Sequence, residues 1–245
     1  MLSNRKMRNA LKRAVPQQII QMYEKECRKE THINRALHQS GDETTYLEIG
    51  IRDGACIHQI NAQRKAGIDP APIDPDFIGR DGTVVFKEPS DLFFKCHASA
   101  WLEGQAINVA LVDGLHEFKQ ALKDVLNLER FMAPDGIIFI HDCNPLTRRH
   151  EQDMNYTWNG DVWKVPYYLA SNRPDLKFFT LNCDWGLGVV TGFSPDPPQA
   201  NEDVISKVKD LDYAVLDKNR EEILKLRNPL YSWYYFSRRG SASHR

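Results

Sequence analysis

The sequence predicts a doubly wound α/β fold around a mostly parallel sheet, and two observations carry that prediction. Short apolar runs alternate along the chain with stretches of helical spacing, the pattern of strands joined by right-handed crossovers. One of those runs, Ile137–Ile140, is apolar without interruption, as expected of a strand buried on both faces of a parallel sheet. A length of 245 residues suits one large domain, residues 1–245, better than two independent ones. With 42% hydrophobic and 27% charged residues, the composition is that of an ordinary globular chain.

Residues 1–40 read as an N-terminal helical extension. Leu11, Val15, Ile19, Ile20, Met22 and Tyr23 recur among charges, Pro16 stands near the start of a second helix, and Gly41-Asp42 ends the region. A core over 45–192 follows. Its first strand is Tyr46-Leu47-Glu48-Ile49-Gly50. A second, Lys65–Ile68, ends at Asp69-Pro70, and Pro70, Pro72 and Pro75 forbid a helix continuing from it. Thr83–Phe86 is the third strand, and Asn108–Val112, ending at Asp113-Gly114, the fourth. Phe118–Phe131 has helical spacing through Leu122, Val125, Leu126 and Leu128, and Pro134-Asp135-Gly136 reads as the turn that stops it. After Ile137–Ile140, residues 161–171 read as helix, and Lys177–Leu181 with Gly188–Thr191 as a closing antiparallel pair. The Pro-rich stretch 194–199 leads into the last part, 200–245, with a charged helical region at 202–227 and an aromatic, basic tail.

The formal charge of -1 implies no nucleic-acid partner. Arg5, Lys6, Arg8, Lys12 and Arg13 make the amino end locally basic, which a phosphate or membrane surface could use but a solvated helix face or arm explains better. No apolar run approaches the ~18 residues that span a bilayer, and the first residues lack the apolar core of a secretory signal. The five cysteines are scattered with no C-x-x-C pair, against both a disulfide framework and a structural zinc site. A cytoplasmic location is expected.

In doubly wound sheets ligands bind outside the carboxyl ends of the strands, near the point where strand order reverses. Every unusual cluster of this sequence falls at such an end. Glu48-Ile49-Gly50-Ile51-Arg52-Asp53-Gly54 lets backbone approach a ligand, because glycine has no Cβ and tolerates positive φ; a tight turn without ligand is the alternative. Arg52 stands where the dinucleotide fingerprint needs its second glycine, which weighs against a nicotinamide oxidoreductase. Asp69 ends the next strand, where an acid accepts hydrogen bonds from ribose hydroxyls or, alternatively, caps a turn.

These residues resemble class I S-adenosylmethionine-dependent methyltransferases, and more narrowly the branch of sugar and antibiotic O-methyltransferases. The resemblance covers about 45–192. It runs through Arg64–Pro70, Ser90-Asp91-Leu92-Phe93-Phe94, Val112-Asp113-Gly114-Leu115-His116, Pro134-Asp135-Gly136, His141-Asp142-Cys143-Asn144-Pro145, Trp158–Lys164 and Asp184–Gly188. It implies a seven-stranded sheet of order 3-2-1-4-5-7-6 with S-adenosylmethionine over strands 1, 2 and 4. Glu48, Gly50, Gly54 and Asp113 would then flank the cofactor, Gly50 at its methionine part; Asp69 would hold the ribose, and Ser90 and Asp91 would lie near the adenine.

Asp113 with His116, and His141 with Asp142, follow neighbouring strands and should converge. Two carboxylates and two imidazoles suit either a divalent ion or a proton acceptor that takes a hydroxyl's proton, a neutral histidine near its ordinary pKa. In related metal-dependent O-methyltransferases a third magnesium ligand directly follows the second acid. That position is Cys143 here, a poor ligand for Mg2+, so Asp113, Asp142 and Asn144 form the candidate metal set. Trp158, Trp163, Tyr167, Tyr168 and Trp185 either stack on a sugar or aromatic acceptor or fill the core.

The resemblance therefore implies methyl transfer to a hydroxyl of a sugar, glycan or secondary metabolite. Its rival is a catalytically silent S-adenosylmethionine-binding protein that assists a partner enzyme. The tail residues Tyr231, Trp233, Tyr234, Tyr235 and Phe236 are too apolar to stay exposed, so packing on the domain or on a second copy, and hence self-association, is expected.

Overall fold

The computed structural model describes residues 17–194 and 196–240; the basic cluster at 5–13 lies outside them. Helices α1 (Gln17–Glu26) and α2 (Lys29–Gln39) precede the sheet. Strands β1 (Thr45–Ile49), β2 (Arg64–Ile68) and β3 (Val84–Phe86) alternate with α3 (Pro75–Ile78), and α4 (Ser90–Cys96) and α5 (Ala98–Leu102) lead to β4 (Ile107–Val112). Then come α6 (Phe118–Glu129), β5 (Met132–Ile140), α7 (Arg148–Gln152), α8 (Lys164–Asn172), β6 (Lys177–Leu181) and β7 (Leu187–Thr191). The last elements are α9 (Glu202–Lys209), α10 (Tyr213–Leu224), β8 (Leu226–Arg227) and α11 (Tyr231–Gly240).

The strands form one sheet of order β3-β2-β1-β4-β5-β7-β6-β8. The first five are parallel and β7 runs antiparallel between β5 and β6. This is the expected seven-strand order with an eighth strand added, β8, which pairs through Thr180 and Leu181 of β6. The chain starts in the middle of the sheet, winds out to β3 and returns to β4, so strand order reverses between β1 and β4. The register there is Tyr46↔Val109 through Ile49↔Val112.

Side chains alternate between two apolar layers, as the two-residue period of a strand requires. Leu47, Ile49, Ala110, Val112, Ile138 and Ile140 pack with α4, α5, α6 and α8 on one face. Tyr46, Val109, Leu111, Ile137 and Phe139 pack with α2 and with Phe236 of α11 on the other. The tail thus docks within its own chain: Tyr235 hydrogen-bonds Thr191 and stacks edge-on against Phe179, while Trp233 and Tyr234 stay exposed.

After β1 the chain makes turns and a single 3-10 turn at Ile57–Gln59 before β2. One local expectation is corrected. Pro134-Asp135-Gly136 is not a turn before the strand but part of β5 itself. Pro134 and Asp135 are exposed, and the pairing of β5 with β4 shifts register between Ile107 and Val109, so the turn residues are spent on a bulge.

Candidate functional site

The sheet ladder continues past the strand ends and fixes the backbone of the site. Gly50 N–H donates to the Ile68 carbonyl (2.8 Å), Asp113 N–H to Ile49 (2.9 Å) and His141 N–H to Val112 (3.0 Å). Above these ends lies a cavity of about 920 Å³, within the range of small-molecule sites. Glu48, Gly50, Asp69, Ser90, Asp91, Asp113, His116, His141 and Asp142 all line it, together with Lys29, Gln120, Asp124, Trp158 and Trp185. Of the residues expected at the cofactor, Gly54 stands apart: its backbone, at φ +78°, lies against Ile78 and His58.

Gly50 has φ +88°, and a Cβ there would sit 2.2 Å from the Asp113 carbonyl oxygen, so only glycine lets the β1 and β4 loops meet. Glu48 is fully buried and accepts a 2.7 Å hydrogen bond from the Tyr46 hydroxyl; burial pushes its carboxyl up to about 7. Asp69 serves the loops it joins, accepting from Arg52 N–H (2.9 Å) and Ala71 N–H (2.8 Å) with one oxygen each. Each oxygen keeps a lone pair, which leaves a ribose site chemically open. Ser90 donates to Asp124 (2.6 Å), and Lys123 holds one oxygen of Asp91 (2.6 Å) while the other, Oδ1, is buried without a hydrogen-bond partner. A buried oxygen of that kind lacks a donor that a ligand can supply. These features fit S-adenosylmethionine.

The four residues expected to converge do so. His141 Nδ1 lies 3.0 Å from both Asp113 Oδ1 and Asp142 Oδ2, and His116 Nε2 lies 3.2 Å from Asp142 Oδ2 and 3.7 Å from Asp113 Oδ1. His116 Nδ1 faces the Trp158 carbonyl at 2.9 Å. Burial alone would lower both histidines, but the neighbouring carboxylates raise His116 above its ordinary value and His141 well above it. The expectation of an imidazole near its ordinary pKa is thereby corrected. Burial would raise Asp113, yet His141, His116 and Lys29 together hold it well below the usual carboxylate range.

Three contributors had no role in the sequence reading. Lys29, the first residue of α2, donates through Nζ to Asp113 Oδ2 at 2.8 Å. Asp184 lies 3.5 Å from His141 Nε2 and accepts from Lys29 N–H. Asn159 donates to Asp142. Asp142, Asp184 and Trp185 all have positive φ (59°, 45° and 62°), and their loops are tied by Cys143 N–H to Gly186 O and Asn144 N–H to Trp185 O. Non-glycine residues in that region are strained, and such strain collects at functional sites.

Asp113, His141 and Asp142 each offer one atom within 4.8 Å of the others, close enough to share an ion. The donor set does not suit magnesium. One atom of the three is an imidazole nitrogen, whereas Mg2+ takes oxygens in octahedral array. Asn144, the expected oxygen, is turned away, its carboxamide held by Arg220 and Asn182. Cys143 is sealed in the core and its thiol is pushed up to about 12 by burial, so it is neither ligand nor nucleophile.

A second cavity, about 630 Å³, opens beside the first. His116 and Trp158 line both. Of the other aromatic residues, Trp185 lines the first cavity, whereas Trp163 and Tyr168 are core, Trp163 donating to Glu151 at 2.7 Å.

No helix among the described residues is long and apolar enough to cross a membrane. No curated protein matches the sequence significantly. Among solved structures, the MycE methyltransferase of the mycinamycin biosynthetic pathway, in complex with Mg and SAH, aligns at 13% identity and a TM-score of 0.46, over 73% of this chain and 54% of its own. This chain therefore spans about half of that enzyme's length. The N-methyltransferase NodS from Bradyrhizobium japonicum WM9 aligns at 17% identity and a TM-score of 0.46, over 71% of this chain and 97% of its own. The O-methyltransferase TomG from Streptomyces achromogenes, involved in tomaymycin synthesis and in complex with SAM, aligns at 12% identity and a TM-score of 0.47, over 66% and 79%. Residues 47–143 match the family model described as a methyltransferase domain. From Leu47 to Cys143 the chain is thus similar to a methyltransferase domain, in keeping with the S-adenosylmethionine-dependent class I enzymes that its motifs resemble.

Proposed function

We propose that the chain methylates a hydroxyl oxygen of a sugar, glycan or secondary metabolite, with S-adenosylmethionine in the larger cavity and the acceptor in the smaller. The observation that carries this reading is the place of His116, on the wall common to the two cavities. A proton acceptor must touch both the hydroxyl and the space where the methyl arrives, and His116 alone of the two histidines lines both. His141 Nε2 is buried, and its Nδ1 is committed to Asp113 and Asp142.

When bound, the cofactor supplies an electrophilic methyl on a sulfonium centre. The protein's own residues then have three tasks. Asp69 and Asp91 hold the nucleoside end, and the Gly50 turn admits the methionine end. Trp158 forms one wall of the acceptor cavity, its ring 5.3 Å from that of His116. His116 donates Nδ1–H to the Trp158 carbonyl, so in its neutral form the lone pair is on Nε2. A hydroxyl proton taken there lands beside Asp142 and Asp113, whose charges stabilise the imidazolium formed. Positioning the hydroxyl supplies the rest of the acceleration.

Calorimetry tests the cofactor half. S-adenosylhomocysteine should bind, and Asp69→Ala should weaken it by ~1–3 kcal/mol, the cost of lost charge-assisted bonds. Mass spectrometry of products from candidate glycans tests the rest: His116→Ala should slow turnover ~100-fold with cofactor binding kept. Methylation at nitrogen, or near-normal rates in that variant, would refute the oxygen-directed assignment.

A further inference from the structure

Asp113, Asp142 and Asp184 gather three carboxylates around His141, all within 3.5 Å of its ring nitrogens. Like charges brought together away from water repel strongly, so such a group needs a fixed cation. Beside the imidazole of His141, Lys29 supplies one. Lys29 is anchored at both ends: its backbone N–H donates to Asp184 Oδ2 (3.3 Å) and its ammonium to Asp113 Oδ2 (2.8 Å). The side chain is only 16% exposed, and it lines the larger cavity. A divalent ion on Asp113, His141 and Asp142 would have to sit next to this ammonium and remove His141 Nδ1 from both carboxylates.

We propose that Lys29 is the resident cation of the carboxylate cluster, standing in for a divalent metal ion, so that methyl transfer here is metal-independent. This rests on the reading of the cluster as the methyl-transfer site. Lys29 is then a positioning residue. It orients Asp113, which with Asp142 sets the ring of His141, and it ties α2 to the end of β4 and to the loop between β6 and β7. An ammonium is a compact point charge with three donors and one takes Asp113, so it does electrostatically what an ion would do without needing a completed coordination sphere.

The test uses Mn2+ as probe, followed by loss of its free electron-paramagnetic signal, and S-adenosylhomocysteine binding as control. The wild type should take up no stoichiometric Mn2+, and chelation with EDTA should leave its S-adenosylhomocysteine affinity unchanged. Lys29→Met uncovers the carboxylates and should bind one Mn2+ per chain, a capacity removed again in Lys29→Met/Asp113→Asn. Lys29→Arg, which keeps the charge, should likewise take up no Mn2+, and stoichiometric uptake by it would overturn the proposal even should the methionine variant fold poorly. The proposal is overturned by Mn2+ uptake in the wild type that Asp113→Asn abolishes. A folded Lys29→Met that takes up no Mn2+ overturns it equally. Failure of wild type to bind S-adenosylhomocysteine would instead sink the methyl-transfer reading, while the Mn2+ comparison would still report on Lys29.

Discussion

At the scale of single residues, the site depends on groups whose chemistry is set by what surrounds them. His116 is the clearest case, with its pKa raised by Asp113 and Asp142 against the opposing effect of burial. A general base works only in its neutral form, so turnover should climb with pH through the raised value and level off above it. In Asp142→Asn the climb should move to lower pH. An identical profile in both proteins would remove His116 from the base role. Gly50 offers a second test. Alanine there meets the Asp113 carbonyl and must hold a left-handed backbone, which together should cost about 2–4 kcal/mol. Gly82, at φ +86° with nothing within 4 Å of its missing Cβ, should lose only about 1–2 kcal/mol as alanine. Urea denaturation of the two variants separates crowding from backbone strain.

At the scale of elements, residues were legible where local pattern and burial agree. The strand ends that carry Asp113 and His141 follow from uninterrupted apolar runs, because a parallel strand buried on both faces has no polar side to show. Lys29 could not be found this way. It opens a helix outside the core, and only the packing of α2 brings it to β4. Asp124 did leave a signal, being an acid on the buried face of α6 among Ala121, Leu122 and Val125. Its partner Ser90 and its carboxyl, pushed up to about 6 by burial, show why it is tolerated there. The contact of α2 with α11 centres on His32, whose ring sits between the Glu26 carbonyl (2.8 Å) and the Ser232 hydroxyl (3.0 Å). Burial, helped by Arg35, lowers its pKa to about 4. A histidine depressed in the folded state contributes fully above its unfolded value near 6.5 and loses that contribution as pH falls toward 4, because the unfolded chain takes the proton first. The loss should amount to about 3 kcal/mol. Denaturant midpoints measured across that window should show it in the wild type and not in His32→Gln.

At the scale of the whole molecule, the two apolar layers meet across one sheet; mid-chain helices cover one of them, while α2 and α11, far apart in sequence, close the other. β8 and α11 were the parts least visible in sequence. A two-residue edge strand has no periodicity to detect, and the aromatic tail suits cis packing and self-association alike until its partners Phe179, Thr191 and Arg35 are seen. We expect the described chain to unfold as a single unit. Phe236 is 1% exposed and packs edge-on against Phe139, in the layer opposite α6, so Phe236→Ala should cost about 3–5 kcal/mol. S-adenosylhomocysteine at about 100 times its dissociation constant should add about 2.7 kcal/mol to any protein that binds it only when folded. If tail, sheet and cavity are one cooperative unit, that increment should be the same in wild type and Phe236→Ala, since Phe236 does not line the cavity and the effects of separate sites add. Fluorescence and far-ultraviolet circular dichroism should then report one coincident transition. Two transitions, with the cofactor product shifting only the later one, would show that the tail layer folds apart from the methyltransferase core.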